Sequence, residues 1–72
     1  MKESDIGIFL QRIPFSETSA IVSFFTINHG FQKFIFLGAK KKANQLFPLN
    51  IQELTYFHRG ESELGKLTQV ES

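Results

Sequence analysis

The chain has 72 residues and a formal net charge of +1, with 42% hydrophobic residues that include nine Phe, one Tyr and no Trp. That length allows a single domain, and folding hides roughly 60% of the surface of so small a chain, which leaves a marginal core. Because Cys is absent, disulfides and thiolate metal sites are excluded, and two His cannot complete a structural zinc site. We expect no metal, no cofactor and no catalytic residue.

No segment has the character of a membrane span or a leader. No run of residues approaches the ~18 consecutive apolar positions of a membrane span. Residues 1–5 lack the basic-then-apolar profile of a signal peptide. We therefore expect a cytoplasmic domain with no membrane contact, and its small size argues against an enzyme with a small-molecule substrate.

The small net charge hides a segregation of charge along the chain. No Asp or Glu lies between Glu17 and Glu53, and the cations of this stretch are Lys33, Lys40, Lys41 and Lys42. The rest of the chain carries four cations against seven carboxylates, a charge of −3. A segregated positive stretch indicates a surface for a polyanion. The alternative is a solvated lysine-rich loop beside an unrelated acidic end.

Five segments rich in Ile, Val, Phe and Thr predict β-strands. They cover residues 6–11, 20–26, 31–37, about 49–57, and from about 66 to the end. The second is apolar on both faces, which predicts a strand covered on both sides or one with a functional aromatic face. The second and third are joined by Asn28-His29-Gly30, a turn sequence that predicts a hairpin.

Only residues 39–46 predict a helix, of about two turns, which Pro48 ends. Five strands with one short helical connection after the third match the plan of the oligonucleotide/oligosaccharide-binding (OB) fold, an all-β barrel that leaves no open edges. Because the last strand pattern continues until the chain stops, we expect residues 1–72 to be a single OB-fold domain cut from the N-terminal part of a longer protein. The alternative is a short protein that ends on its last strand.

The aromatic residues of the second and third strands are candidates for core or for binding. Those considered are Phe25, Phe31, Phe34 and Phe36. A barrel without Trp needs most of its Phe inside. Alternation places Phe31 and Lys33 on one face of the third strand and Phe34 and Phe36 on the other. If Lys33 faces a ligand, Phe31 is the stacking residue and the other two belong inside.

Four short motifs follow one another along the chain. They are the Phe-Ser-Glu-Thr loop at 15–18, the Thr-(x)3-Gly hairpin at 26–30, the Gly-Ala-Lys corner at 38–40 and the Arg-Gly-Glu turn at 59–61. In this order they resemble the N-terminal domain of the RecO family of bacterial recombination mediators, over residues 6–71. The sequence departs from the family in a shorter connection after residue 39 and in lysines at 40–42 in place of arginines. Contacts that need bidentate guanidinium geometry are therefore not expected at these positions.

The resemblance implies an OB-fold domain of a DNA repair and DNA recombination protein. Proteins of the family bind single-stranded and duplex DNA, anneal complementary strands, and load RecA together with RecR and the single-strand-binding protein. They are not enzymes. For this chain the resemblance implies the same partners and a cytoplasmic, nucleoid-associated location.

The predicted chemistry is DNA binding without sequence reading. Cations that follow the phosphates and aromatic faces that stack the bases hold a single strand, across the second and third strands of such barrels and the loops beside them. The predicted DNA-binding residues are Arg12, Phe31, Lys33, Lys40, Lys41, Lys42, Arg59 and Lys66. The alternative is a protein-interaction module that docks RecR or the rest of its own chain, with little DNA binding by itself.

Catalysis is the weakest of the three hypotheses. His29 and His58 lie in or beside turns, with no Cys or Ser/Asp arrangement that would indicate nucleophilic chemistry. Glu17 lies in the 15–19 loop, where we expect it to accept hydrogen bonds from backbone amides.

Overall fold

A computed structural model of the protein describes residues 2–39, 46, 49–57 and 64–71. Within them the chain forms five strands: β1 (Lys2–Pro14), β2 (Ser19–Thr26), β3 (Gly30–Leu37), β4 (Ile51–Phe57) and β5 (Gly65–Glu71). Each predicted strand is found, and β1 extends beyond its predicted range at both ends. The β-branched and aromatic residues of these segments favour the extended backbone.

The five strands close into a barrel in the order β1-β2-β3-β5-β4. All neighbours are antiparallel except β3 and β5, which pair in parallel over three residues each. The long β1 pairs with β4 through residues 2–8 and with β2 through residues 7–14, and a register shift between Phe9 and Gln11 separates the last part of β1. The arrangement is all-β and consistent with a small OB-fold barrel, as predicted.

Alternation along the strands separates the barrel interior from its outer face. In β3, Phe34 and Phe36 are fully buried whereas Phe31 is exposed, as the strand pattern predicts. The buried hydrophobic side chains are Phe9, Ala20, Val22, Phe24, Phe34, Phe36, Ala39, Leu46, Leu54, Tyr56, Leu67 and Val70.

The second strand is covered fully on its inner side and only in part on its outer side, where Ser23 is buried and Phe25 is exposed. Val22 and Phe24 of β2 have no exposed surface, while Phe25 between β1 and β3 is open to solvent. The sequence predicts for β2 either a strand covered on both sides or one with a functional aromatic face. The structure excludes complete cover of both faces. The outward face of β2 carries an exposed aromatic ring instead.

A chain of tilted aromatic contacts runs through the core. Ring centroids are 5.5 Å apart for Phe9 and Phe24, 6.2 Å for Phe24 and Phe34, and 4.7 Å for Phe34 and Tyr56. These spacings are those of favourable aromatic pairs. Gly65 lets β5 approach this chain, because a Cβ at that position would lie only 2.9 Å from Phe34 Cδ1.

The short helix predicted over residues 39–46 is not borne out by the described residues, whose elements are all strands. Residues 40–45 of that segment lie outside the described part of the chain. In the described ranges no helix is long and apolar enough to cross a membrane.

Candidate nucleic-acid interface

Three of the predicted DNA-binding residues lie together on the outer face of β3 and β5. Phe31 and Lys33 are exposed and lie on the side of β3 that faces away from the core. Lys66 of β5 is exposed and pairs with Ile35, the next outward residue of β3. One aromatic ring and two ammonium groups therefore share one surface.

Phe25 adds a second aromatic ring to this surface. It pairs directly with Phe31 across β2 and β3, which places the two Cβ atoms about 4.5–5.5 Å apart. Phe25 is 59% exposed and Phe31 57%, although large aromatic side chains are usually well buried. We call these two residues the aromatic platform. Phe25 is absent from the predicted site because alternation within β2 does not reveal which residue of β3 lies beside it.

The charge nearest the aromatic platform belongs to Lys33. Its Nζ lies 5.9 Å from the centroid of the Phe31 ring, within the range of a cation–π interaction. Across the strands Lys33 pairs with Ser23, a small and buried residue. An open ring with a cation beside it is the combination that binds a base together with its phosphate.

A second group of exposed side chains continues from Lys66. Lys66 pairs with Phe57 of β4, and Phe57 pairs in turn with Lys2 of β1. All three are exposed, so an aromatic side chain lies between two lysines on the outer face. The sequence analysis assigns no binding role to Lys2 and Phe57, because they are distant from Lys66 in the chain and only the closure of the barrel brings them together.

Arg12 lies on the other side of the sheet. It pairs with Val22, whereas Lys33 pairs with Ser23, and consecutive strand residues point to opposite faces. Arg12 lines a cavity of about 310 Å³ together with Ala39 and the 15–19 loop. Arg12 lies near the end of β1, beside the 15–19 loop. The structure does not bring Arg12 together with the aromatic platform. Unbroken alternation from Ile8 would place Arg12 on the outer face, but the register shift between Phe9 and Gln11 turns it to the opposite face.

The remaining predicted DNA-binding residues, Lys40, Lys41, Lys42 and Arg59, lie outside the described residues, as does His58. Their roles stay predictions.

Ser16 organises the 15–19 loop. Its Oγ accepts hydrogen bonds from Thr18 N at 3.4 Å and Ser19 N at 3.2 Å, and lies 2.6 Å from Ser19 Oγ. Glu17 is exposed, and the amide contacts predicted for it belong to Ser16. A hydroxyl one bond from Cβ reaches its own loop amides more readily than a carboxylate on a longer side chain.

A buried carboxylate holds the turn between β2 and β3. Asp5 Oδ1 accepts hydrogen bonds from Ile6 N at 2.7 Å and Asn28 Nδ2 at 2.8 Å, and Oδ2 lies 3.2 Å from His29 Nδ1. Burial raises the pKa of Asp5, but the hydrogen bonds from Ile6, His29 and Asn28 outweigh burial and hold this pKa below its ordinary value. Asp5 therefore ties the strand β1 to the turn that sets the register of the aromatic platform.

Thr26 completes the same turn. Its Oγ1 donates to Gly30 O at 2.9 Å and accepts from His29 N at 3.2 Å. Gly30 has a φ of +67°, a left-handed conformation that favours glycine. The Thr-(x)3-Gly motif thus has a physical explanation, because the hydroxyl and the glycine are both needed to close this turn.

An apolar groove of about 380 Å³ adjoins Phe25 on the outer face. Its lining residues are Ile6, Gly7, Ile8, Phe25, Thr26, Ile27 and Ile51. Ile27 and Ile51 are each at least 70% exposed. Exposed apolar side chains grouped in this way are typical of surfaces that bind another molecule.

The described residues contain no group of three His, Cys, Asp or Glu side chains placed to hold a metal ion. A comparison with curated proteins finds no match. The sequence model of the family described as "Recombination protein O N terminal" matches residues 1–72, the whole sequence. This agrees with the motif order, the five-stranded barrel and the Thr-(x)3-Gly turn. The chain therefore belongs to the RecO N-terminal domain family, which implies a role in recombination and repair.

Proposed function

We propose that this chain is the DNA-binding domain of a RecO-like recombination mediator. It holds single-stranded and duplex DNA without reading sequence and supports strand annealing and RecA loading, together with RecR and the single-strand-binding protein. Family membership supports the biological role, and the outer face of β2, β3 and β5 supports the mode of binding. The domain acts in the cytoplasm at the nucleoid, is not an enzyme, and uses no cofactor.

The observation that carries this proposal is the aromatic platform with its neighbouring cation. Phe25 and Phe31 each leave more than half of their surface in water, and the Lys33 ammonium lies beside the Phe31 ring. Stacking a base on such a ring is worth about 1–3 kcal/mol, because both apolar faces leave water. Unpaired bases offer free faces, so a single strand gains this contribution and a duplex does not.

The same surface explains why binding ignores sequence. Aromatic faces and ammonium groups carry no pattern of donors and acceptors that distinguishes one base from another. Lys33 and Lys66 act as compact charges toward phosphates rather than as planar forks. The lysines at 40–42 and Arg59, if they reach the same strand, add to the positive charge.

The proposal is tested by fluorescence anisotropy of a labelled oligothymidine of about 15 nucleotides over a salt series. With about four phosphates contacted, log K against log[salt] falls with a slope near −3. Lys33→Glu combined with Lys66→Glu weakens binding at least tenfold and flattens the slope. Phe25→Ala with Phe31→Ala weakens binding with the slope unchanged. An affinity independent of salt contradicts the proposal.

Arg12→Glu is the matched control for the lysine substitutions. It makes the same change of charge as each Lys→Glu variant, but from the opposite side of the sheet. We expect it to weaken binding less than Lys33→Glu does. An equal loss from Arg12→Glu and Lys33→Glu would place the DNA elsewhere than on the aromatic platform. Circular dichroism establishes that each variant is folded.

A second candidate function is supported by the apolar groove beside Phe25. In this case the domain docks RecR or the rest of its own chain and binds little DNA by itself. The same anisotropy measurement separates the two functions. Failure of the 72-residue chain to bind at low salt, with binding by a longer protein that contains it, favours the interaction module.

A further inference from the structure

A second aromatic ring flanked by cations lies on the outer face, away from the aromatic platform. Phe57 of β4 is 43% exposed and pairs with Lys66 of β5 on one side and with Lys2 of β1 on the other. Neighbouring strands are about 4.8 Å apart, so the Cα atoms of the two lysines lie about 10 Å apart with the ring between them. Both lysines are exposed, and neither has an ion-pair partner among the described residues. We call Lys2, Phe57 and Lys66 the second station.

The register of the barrel shows where the second station lies relative to the aromatic platform. The row of paired residues that starts at Lys2 crosses β4, β5, β3 and β2 and returns to β1 at Ile13. One circuit therefore takes five steps between strands and eleven residues along β1, or ten without the residue inserted at the register shift. The way from Phe25 to Phe57 crosses to Phe31, follows β3 for four residues and crosses two more strands. Three of the five strand steps and four of the ten residue steps make about half of the circumference, so the two sites lie on nearly opposite sides of the barrel.

Cations connect the aromatic platform to the second station. The Lys33 ammonium lies 5.9 Å from the centroid of the Phe31 ring. Lys66 pairs with Ile35, which is two residues beyond Lys33 on the same face of β3. Two residues along a strand and one strand across amount to about 8 Å between the Cα atoms of Lys33 and Lys66, and Phe57 is the next neighbour of Lys66. A polyanion that follows this track therefore meets a cation or a ring at every step.

Residues unsuited to phosphate lie beyond both ends of this track. Glu53 lies four residues before Phe57 on the outward side of β4 and pairs with Glu71 of β5, and both carboxylates are exposed. At the other end Phe25 pairs with Ile8 of β1, where the apolar groove begins. Carboxylates repel phosphates and apolar side chains offer them no hydrogen bond. The positive track is therefore confined to the half of the circumference between Phe25 and the second station.

We infer that one single strand wraps about half of the barrel and stacks bases on the aromatic platform and on the second station at once. This inference rests on the proposed function and names the form of DNA that the surface takes. A single strand has a flexible backbone and open base faces along its whole length. A duplex is stiff over about 150 base pairs, so it cannot follow the surface of a molecule that measures 28 × 25 × 17 Å. A duplex therefore contacts one side of the barrel only and leaves the second station empty.

The length of the strand tests the wrap. The path from the aromatic platform to the second station is about 19 Å along the Cα surface and longer at the level of the side-chain tips. An oligothymidine of about four nucleotides therefore reaches one of the two sites, and one of about 15 nucleotides reaches both, within the range that such barrels hold. We expect Phe57→Ala to weaken binding of the longer strand at least about fivefold, and of the shorter strand less than twofold. Phe15→Ala is the matched control, because Phe15 is an exposed phenylalanine of the 15–19 loop outside the track.

Two further measurements do not depend on the packing of Phe57. Lys2→Gln removes an exposed charge that the fold does not need. For the strand of about 15 nucleotides it should make the slope of log K against log[salt] shallower by about 0.7, the share of one phosphate, and leave the slope of the short strand unchanged. Phe57→Ala should also leave the affinity for a duplex of about 15 base pairs within twofold of the wild-type value, because the duplex does not reach the second station.

The outcomes separate the wrap from the proposed function. A chain that binds neither length of oligothymidine contradicts the proposed function itself. Binding of the longer strand that depends on Phe31 but not on Phe57 or Lys2 overturns the wrap, leaves the proposed function standing, and leaves the second station to another partner. Equal weakening of both lengths by Phe57→Ala also overturns the wrap, because a strand too short to span the two sites would then use both. Circular dichroism establishes that each variant is folded.

Discussion

Asp5→Ala removes the carboxylate that joins β1 to the β2–β3 turn. Three contacts are lost, from Ile6 N at 2.7 Å, Asn28 Nδ2 at 2.8 Å and His29 Nδ1 at 3.2 Å. Hydrogen bonds to charged groups are worth about 1.5–3 kcal/mol each when buried, and the exposed Asn28 and His29 regain water. We therefore expect Asp5→Ala to lower the free energy of unfolding by about 2–4 kcal/mol. A domain of this size has roughly 4–10 kcal/mol of stability in total.

The pH dependence of this contribution follows from the direction of the pKa shift. The pKa of Asp5 in the folded chain lies below its ordinary value of 3.8, so the unfolded chain takes up the proton first. Its contribution is therefore fully present above the ordinary value and is lost as the pH falls through the folded value. Asp5→Asn keeps the shape and removes this titration. The wild-type free energy of unfolding should fall more steeply in acid than that of Asp5→Asn.

Urea unfolding followed by circular dichroism, at neutral pH and at several acid pH values, measures both effects. Glu53→Gln is the control, because Glu53 is an exposed carboxylate that makes no ion pair within the described residues. It should cost nothing at neutral pH, since it also relieves the repulsion from Glu71. A loss below about 0.5 kcal/mol for Asp5→Ala, or parallel acid curves for wild type and Asp5→Asn, would refute the reasoning.

Three further predictions concern the turn and the core. Gly65→Ala should lower the free energy of unfolding by about 1–3 kcal/mol, because its Cβ would lie 2.9 Å from a carbon of the fully buried Phe34 ring. An unchanged urea midpoint would show that β5 can move away from the ring. Gly30→Ala should cost about 1–2 kcal/mol at a φ of +67°, and Gly30→Asn less, because Asn tolerates this conformation; equal losses would contradict this explanation. Burial, and then the charges of Glu3 and Asp5, raise the pKa of Tyr56, the protein's only tyrosine, above 10.0. Its ultraviolet titration should therefore have a higher midpoint in the folded chain than in urea, and identical midpoints would exclude the buried environment.

The strand pattern predicts the interior and outer faces of single strands well. Phe34 and Phe36 lie inside and Phe31 and Lys33 outside, as alternation requires, because a pleated strand sends successive side chains to opposite faces. The same rule fails for Arg12, since a register shift interrupts β1 before it. The insertion that shifts a register leaves no clear mark in the sequence of a strand.

The alternation pattern of the strands also does not predict the hydrogen bonds of loops. Glu17 and Ser16 are both polar loop residues, and either could accept amide hydrogen bonds. The backbone path of the 15–19 loop brings the amides of Thr18 and Ser19 to the hydroxyl of Ser16. The role of Asp5 is likewise invisible in the sequence, because Asn28 and His29 lie more than twenty residues away.

Length, the absence of Cys and the charge of +1 already exclude a disulfide scaffold and indicate one small domain with an acid-free positive stretch. Strand propensity, alternation and turn residues predict the five strands, because all three are properties of residues that are neighbours in the chain. The family motifs are likewise short stretches of sequence. Only the tertiary structure decides which strands pair and in which register. Strand pairing sets Phe25 beside Phe31, and closure of the barrel sets Lys66 beside Phe57. Surfaces that bind other molecules are made of such non-local pairs, so their composition depends on the register of the barrel rather than on any segment of the chain.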